Sequence, residues 1–246
     1  MVSIVVPTYN EEENIEFLLA SINKSFNRKT NDYEVIVIDD NSQDNTRTII
    51  KKLAKSYPVN VFLKIGPRGK AYSLFEGFKK ASGNVIAMID ADLQYPADAI
   101  PKMVAKLNAQ TDIVVANRKT YNDTRVRKFL SRGFRYIFGK ILFNLNCDVQ
   151  SGLKVFKRTV VENVKFTPRS AWSFDLEFLY KSQEAGFKIA SHNITFFARG
   201  SGHSKIAVAK TIIELGTNGL RLKSKKLSLY HLFQKSQILY RNQTDF

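Results

Sequence analysis

Apolar positions in the first half of the chain follow two alternating periods. Residues 2–6 form a short β-branched run stopped by Pro7. Residues 11–26 place Ile15, Leu18, Leu19 and Ile22 at spacings of 3, 1 and 3, as one face of a helix requires. Asn10 is the expected N-cap of that helix, with Glu13 completing a capping box. A second strand is expected over 35–38, ending in Asp39-Asp40, and a second helix over 44–57 with Ile49, Ile50 and Leu53 inward. A third strand follows at 59–65, and Gly66-Pro67-Arg68-Gly69 turns into a helix running to Lys80. The pattern continues with a strand at 85–89, a helix at 97–108 and a strand at 112–116. The second half is less regular. It reads as a basic helix at 125–143, a strand or turn at 151–156, a helix at 172–185, an extended stretch at 187–197 and an amphipathic helical stretch at 204–226.

Strands separated by helices of this length predict a doubly wound, mostly parallel α/β sheet with helices on both faces. Ligands of such sheets bind beyond the carboxyl ends of the strands. That rule brings Pro7-Thr8-Tyr9-Asn10, Asp39-Asp40, residues 66–70 and residues 90–94 to one rim, although they are far apart in sequence.

The exit of the fourth strand carries the most specific chemistry, because Asp90-Ala91-Asp92-Leu93-Gln94 delivers two carboxylates and a carboxamide into one loop. Two acids one residue apart repel unless a cation joins them. Hard divalent ions such as Mg²⁺ and Mn²⁺ take one or two carboxylates plus the phosphate oxygens of a ligand. Asp39-Asp40 suits a ribose or base at a strand end, and equally a turn with an Asx cap at Asn41 or Ser42. The Gly66–Lys70 loop (Gly66, Gly69, Arg68, Lys70) suits phosphate or ribose, without the P-loop pattern.

Composition narrows the partners. With 246 residues, 44% of them hydrophobic, the chain can bury one sizeable core. Its single cysteine, Cys147, forms no internal disulfide, and the chain is read as intracellular. No apolar run approaches the ~18 residues of a membrane span. The net charge of +16 favours anionic partners. Between Lys119 and Lys140 seven basic residues face one acid, Asp123; from Lys205 to the end eight face Glu214 and Asp245. Charge alone would permit nucleic acid, but no nucleic-acid-binding motif accompanies it, so none is expected. His192, His203 and His231 have no metal-ligand spacing, so zinc is not expected.

Taken together, Val5-Val6-Pro7-Thr8-Tyr9-Asn10-Glu11, Val37-Ile38-Asp39-Asp40-Asn41-Ser42-Gln43-Asp44 and Asp90-Ala91-Asp92-Leu93-Gln94 resemble the inverting family 2 glycosyltransferases of GT-A fold, within them the dolichyl-phosphate mannose synthase and polyprenyl-phosphate glucosyltransferase group. Asn117-Arg118, Ser131-Arg132-Gly133, residues 148–154 and residues 197–205 extend the resemblance to about residue 205. Gln150 and Tyr95 depart from the residues common in the family.

The resemblance implies a metal-dependent enzyme moving a hexose from GDP-mannose or UDP-glucose to a polyprenyl or dolichyl phosphate. Pro7, Tyr9, Glu11, Asp39, Asp40, Gly69, Lys70, Asp90 and Ala91 would hold the nucleotide sugar, and Asp90, Asp92 and Gln94 the Mg²⁺ or Mn²⁺. Arg118 and Arg132 would bind the acceptor phosphate, while Arg199 and Lys205 belong to a loop closing over the donor. Asp148 is a base, an orienting carboxylate or a turn cap. The catalytic GT-A domain is expected over 1–203, with a nucleotide-sugar half to about 118 and an acceptor half from 119. Residues 204–246 form a basic helical extension. The expected place of work is the cytoplasmic membrane surface; a separate anchoring subunit or a homo-oligomer is compatible with that.

Overall fold

Every apolar run expected as a strand in the first half joins one seven-stranded sheet. Its strands are β1 (Val2–Thr8), β2 (Tyr33–Asp39), β3 (Val59–Leu63), β4 (Val85–Met88), β5 (Ile113–Thr120), β6 (Lys154–Lys157) and β7 (Ile189–Thr195), in the order β3-β2-β1-β4-β6-β5-β7. The computed structural model describes residues 1–26, 32–120, 140, 143–166 and 174–197. The chain divides into two compact units, Met1–Ser204 and Lys205–Phe246, and the described residues all belong to the first. The expected helices at 125–143 (all but residues 140 and 143) and 204–226 lie outside the described residues.

Strand β6 is the departure from a parallel sheet. It lies between β4 and β5 and runs antiparallel to both, whereas the other pairings are parallel. Met88 pairs with Lys154, so the start of β6 sits at the same rim as the end of β4. The turn at Ser151-Gly152 is thereby delivered beside the Asp90–Gln94 loop.

Among the described residues six helices accompany the strands: α1 (Ile15–Ser25), α2 (Thr46–Leu53), α3 (Lys70–Lys80), α4 (Ala99–Val104), α5 (Arg158–Asn163) and α6 (Phe174–Glu184). Side chains of a strand alternate between faces, and β1 uses both. Ile4 and Val6 join the cluster holding Ile15, Leu18, Leu19 and Ile22 of α1 and Ile100 and Met103 of α4. Val5 faces α3, where a Cβ on Gly77 would lie 2.3 Å from its Cγ1, so only glycine lets the helix approach so closely. Phe75 and Phe78 of α3, Phe156 of β6 and Phe174 and Phe178 of α6 then pack edge-on or tilted, with ring centroids 4.9–6.0 Å apart. Burying the four apolar residues of α1 contributes about 6–12 kcal/mol before ordering entropy is subtracted.

Several helices start later than periodicity predicts. Helix α1 begins at Ile15, not at residue 11; α2 spans Thr46–Leu53, not 44–57; α4 spans Ala99–Val104, not 97–108. The capping box is absent: Asn10 has a left-handed φ of 55°, and the N-cap position falls at Asn14 without a side-chain cap. Strand β3 ends at Leu63, short of residue 65, while β5 runs to Thr120, beyond 116. Residues 11, 12, 44 and 45 bridge the loops that leave β1 and β2. The short helix α5 was not expected from the sequence.

Candidate active site

The exits of β1 and β2 are stitched together backbone to side chain. The Asn10 N–H donates to Ser42 Oγ (2.9 Å), and the Gln43 N–H to Asn10 Oδ1 (2.8 Å). The N–H groups of Glu11 and Glu12 donate to Thr46 Oγ1 and Asp44 Oδ2, and Asn45 returns two bonds to the Glu12 carboxylate. Asp39 is fully buried beneath this junction. Its oxygens accept from Thr8 Oγ1 (3.1 Å) and from the backbone and hydroxyl of Ser42 (2.9 and 2.5 Å), with Arg47 Nε 3.5 Å away. These contacts tie the turn at Asn41-Ser42, a role that can hold together with a ribose or base contact.

Asp40 organises the glycine loop. Its Oδ2 accepts the Gly69 N–H (2.7 Å), and its Oδ1 lies 2.5 Å from Lys64 Nζ. Lys64, a residue the sequence pattern did not single out, is itself buried and also donates to the Gly69 carbonyl (3.3 Å). Gly69 has a φ of 125°, which a side chain rarely adopts. The loop so held lays the Arg68 guanidinium over the Tyr9 ring, 5.1 Å from its centroid. Tyr9, Asp40 and Arg68 line an open cleft of about 220 Å³. A larger cavity of about 420 Å³ lies between residues 144–147 and 183–189, with Lys188 as its one charged lining residue. The Cys147 thiol there is pushed up to about 12 by burial, which disfavours the thiolate. The candidate chemical groups, the carboxylates among them, lie at the rim.

At the exit of β4, Lys70 Nζ lies 2.5 Å from Asp90 Oδ1, both side chains about a quarter exposed. Burial disfavours the Lys70 ammonium, but the charges of Asp90 and Asp175 and the hydrogen bond to Asp90 outweigh it and raise its pKa. Behind Asp90 stands Gly152: a Cβ there would lie 2.1 Å from Asp90 Oδ2 and 3.1 Å from Tyr95 Cε2. The Gly152 N–H donates to the Tyr95 hydroxyl at 2.6 Å. Tyr95, buried, has its phenol pKa raised, chiefly by desolvation. Asp92 is 8% exposed, and its Oδ1 accepts from the Gln94 N–H at 3.3 Å across Leu93, whose φ is 61°. The Gln94 side-chain amide donates to the Phe197 carbonyl (3.3 Å), and the Phe197 N–H returns to the Gln94 carbonyl (3.0 Å). Pro7 and Ala91 complete the same rim.

No three His, Cys, Asp or Glu residues form a metal cage among the described residues. Two carboxylates with hard oxygen donors and no cage fit a divalent cation that brings further oxygens with its ligand. Asp90, which also pairs with Lys70, and Asp92 are the candidate ligands.

Arg118, at the end of β5, makes a bidentate bridge to Asp148: Nε to Oδ2 at 2.6 Å and Nη2 to Oδ1 at 3.0 Å. The Asp148 side chain is fully buried, its N–H donates to Asn117 Oδ1 (2.7 Å), and its Oδ1 accepts the Gln150 N–H (3.3 Å). These are the contacts of an orienting carboxylate and turn cap. Arg118 also lies over the Phe196 ring, 5.2 Å from its centroid. Arg132, Arg199 and Lys205 lie outside the described residues. Sequence reasoning missed Lys154 and Asp175, which form a buried ion pair next to Ser151. Burial lowers the Lys154 pKa despite the pull of Asp175. Its signals were the end of the 148–154 motif and a lysine inside the apolar run Leu153-Lys154-Val155-Phe156.

Comparison with known proteins places this rim in context. The chain is 34% identical to a dolichol-phosphate mannosyltransferase of Pyrococcus furiosus over 221 residues, which is 87% of this chain and 61% of the relative. It is 35% identical over 170 residues to a prophage bactoprenol glucosyl transferase homolog of Escherichia coli, 68% of this chain and 55% of the relative. The chain thus spans little more than half the length of these relatives. A crystal structure of glucosyl-3-phosphoglycerate synthase from Mycobacterium tuberculosis with phosphoglyceric acid superposes with a TM-score of 0.66 at 21% identity, covering 93% of this chain and 79% of that one. A further crystal structure of that enzyme, with Mn²⁺, UDP-glucose and phosphoglyceric acid, gives 0.64 at 21% identity, covering 89% and 79%. At that identity the likeness speaks for the fold, an α/β GT-A fold. A model of the family described as Glycosyl transferase family 2 matches residues 3–165, and on that match the chain belongs to glycosyl transferase family 2.

Proposed function

We propose that this chain transfers a hexose, from GDP-mannose or UDP-glucose, to a polyprenyl or dolichyl phosphate with inversion at the anomeric carbon. The observation that carries the reading is the convergence on one rim of a nucleotide-sized cleft at Tyr9, Asp40 and Arg68, a charged Lys70–Asp90 pair beside Asp92, and an Arg118 held in place by Asp148. The relatives named for dolichol phosphate and bactoprenol support the lipid-phosphate acceptor, and the neighbour solved with Mn²⁺ and UDP-glucose supports a metal-assisted nucleotide sugar.

The chemistry asks for little beyond position and charge. An oxygen of the acceptor phosphate, already an anion, attacks the anomeric carbon from the face opposite the leaving group. The bond from that carbon to the diphosphate oxygen breaks, and its electron pair leaves with the nucleoside diphosphate. No proton need be removed, which agrees with an Asp148 engaged by Arg118 rather than poised as a base. Arg118, with Arg132, binds and aims the phosphate. Lys70 meets the negative charge that develops on the leaving group. Asp92, with Asp90 and Gln94, would hold Mg²⁺ or Mn²⁺, whose chemistry is charge neutralisation on the diphosphate. The cations between Lys119 and Lys140 draw the chain to an anionic membrane surface, each worth about 1 kcal/mol there. The association proposed is peripheral; among the described residues no helix is long and apolar enough to cross a membrane.

The test is acceptor-dependent release of nucleoside diphosphate by the purified chain with Mn²⁺, a short polyprenyl phosphate and each donor in turn. Release with one donor that requires the lipid phosphate is the expected result. Release from no donor overturns the proposal, and equal release without lipid phosphate overturns the acceptor.

A further inference from the structure

A buried charge pair stands directly behind the rim, outside the machinery described so far. Lys154 of β6 is fully buried, and its ammonium donates to the Ser151 carbonyl and to Asp175 Oδ1 of α6. Replacing such a pair by apolar residues of similar size is often neutral or stabilising, so fold stability is a weak reason for it to be there. What it touches gives a better one. Ser151 precedes Gly152, and Gly152 is the wall against which the Asp90 carboxylate rests, tight enough that no side chain fits between them. The Gly152 N–H is fastened on its other side to the Tyr95 hydroxyl. Lys154 therefore ties down one end of a two-residue wall whose other end is fixed by Tyr95, and Asp175 holds Lys154 in place. The antiparallel course of β6 is what brings this wall to the rim, since Lys154 pairs with Met88 at the end of β4.

We infer that Lys154 and Asp175 are positioning residues that, through the Ser151-Gly152 turn, set the Asp90 carboxylate and its partner Lys70 toward the donor's diphosphate. The inference rests on the proposed reading of the rim as a nucleotide-sugar site. It makes the α6–β6 contact part of the donor site, though neither side chain belongs to the nucleotide cleft. The effect is specific: contacts to base and ribose depend on the Tyr9–Arg68 side, whereas the pair governs only the diphosphate end.

The experiment is calorimetric binding of UDP, GDP, UMP and GMP, each with Mn²⁺, to the wild-type chain, to Lys154→Met with Asp175→Val, and to Asp175→Asn, with thermal unfolding of each. The wild type should bind one of the two diphosphates. The double variant should unfold cooperatively and bind that diphosphate about 10- to 100-fold more weakly, the usual size of an effect exerted through a neighbouring shell. Its affinity for the matching monophosphate should stay within about threefold, which a general loss of structure would not produce. If the folded double variant loses less than about threefold in diphosphate affinity, or loses both nucleotides alike, the inference fails. Should the double variant not fold, Asp175→Asn decides by the same threshold. A wild type that binds neither diphosphate refutes the donor-site reading and the inference with it, and that failure is visible before any variant is measured.

Discussion

Gly152→Ala tests the packing of the rim with one methyl group. An alanine Cβ would lie 2.1 Å from Asp90 Oδ2 and 2.8 Å from its Cγ. Restoring an ordinary contact requires the carboxylate to move by roughly 1.3 Å, because close-packed surroundings leave no slack. The movement must disturb the 2.5 Å contact with Lys70. Overpacking of this kind costs about 1–3 kcal/mol in stability, or a melting temperature lowered by roughly 2–12 °C for a unit of this size. A misplacement of about 1 Å at reacting groups costs on the order of 100-fold in rate, equivalent to about 2.7 kcal/mol in the barrier. Nucleoside diphosphate release and thermal unfolding would be measured side by side. Gly83→Ala is the control: its Cβ would meet the Met1 carbonyl at 2.6 Å and Ser3 N at 2.9 Å, at the start of β1. That variant should lose stability while its folded fraction turns over normally. Gly152→Ala turning over within about threefold of the wild type would refute the argument that Gly152 holds Asp90.

Three further outcomes follow from the same geometry. Asp92→Ala removes a candidate metal ligand, worth several kcal/mol of charge stabilisation, so turnover should fall by about 100-fold or more; Mn²⁺ titration of the residual activity should show weakened metal dependence. Asp148→Asn weakens the bidentate hold on Arg118, and steady-state kinetics should show a raised acceptor KM; loss of the acid limb of the pH–rate profile would instead mark Asp148 as a base. Asp112 is desolvated, which raises a carboxyl pKa, but bonds from Lys157 and the Lys188 N–H prevail and hold it below its ordinary 3.8. A depressed carboxylate contributes stability that is present above its unfolded pKa and lost as pH falls through the folded one. Melting temperatures from pH 6 down to about 3 should therefore drop less steeply in Asp112→Asn than in the wild type.

The parallel half of the fold was legible because its signals are local: β-branched runs, a helical face at Ile15, Leu18, Leu19 and Ile22, and acids at strand exits. The convergence of those exits followed from topology alone. A strand or turn was legible at 151–156, but the antiparallel place of β6 was not, since a four-residue segment finds its position between β4 and β5 only through pairings far away in sequence. Helix starts were misplaced because residues 10–12 and 43–46 satisfy each other across two loops instead of capping their own helices. Asp39 and Asp148 show the limit for site residues. The sequence leaves Asp39 open between a nucleotide contact and a turn at Asn41 or Ser42, and Asp148 between a base, an orienting carboxylate and a turn cap, because the Arg118 that grips Asp148 lies 30 residues away. Lys154 closes the 148–154 motif without an assigned role, because its partner Asp175 is 21 residues away.

The central claim, hexose transfer to a lipid phosphate, is tested most directly by ³¹P NMR of the purified chain with Mn²⁺, a short polyprenyl phosphate and the better of GDP-mannose and UDP-glucose. The account predicts that the phosphate monoester signal is replaced by that of a phosphodiester whose sugar has the anomeric configuration opposite to the donor's, in step with nucleoside diphosphate. A monoester signal that persists while the donor is consumed or left intact, or a diester that retains the donor's configuration, would contradict it.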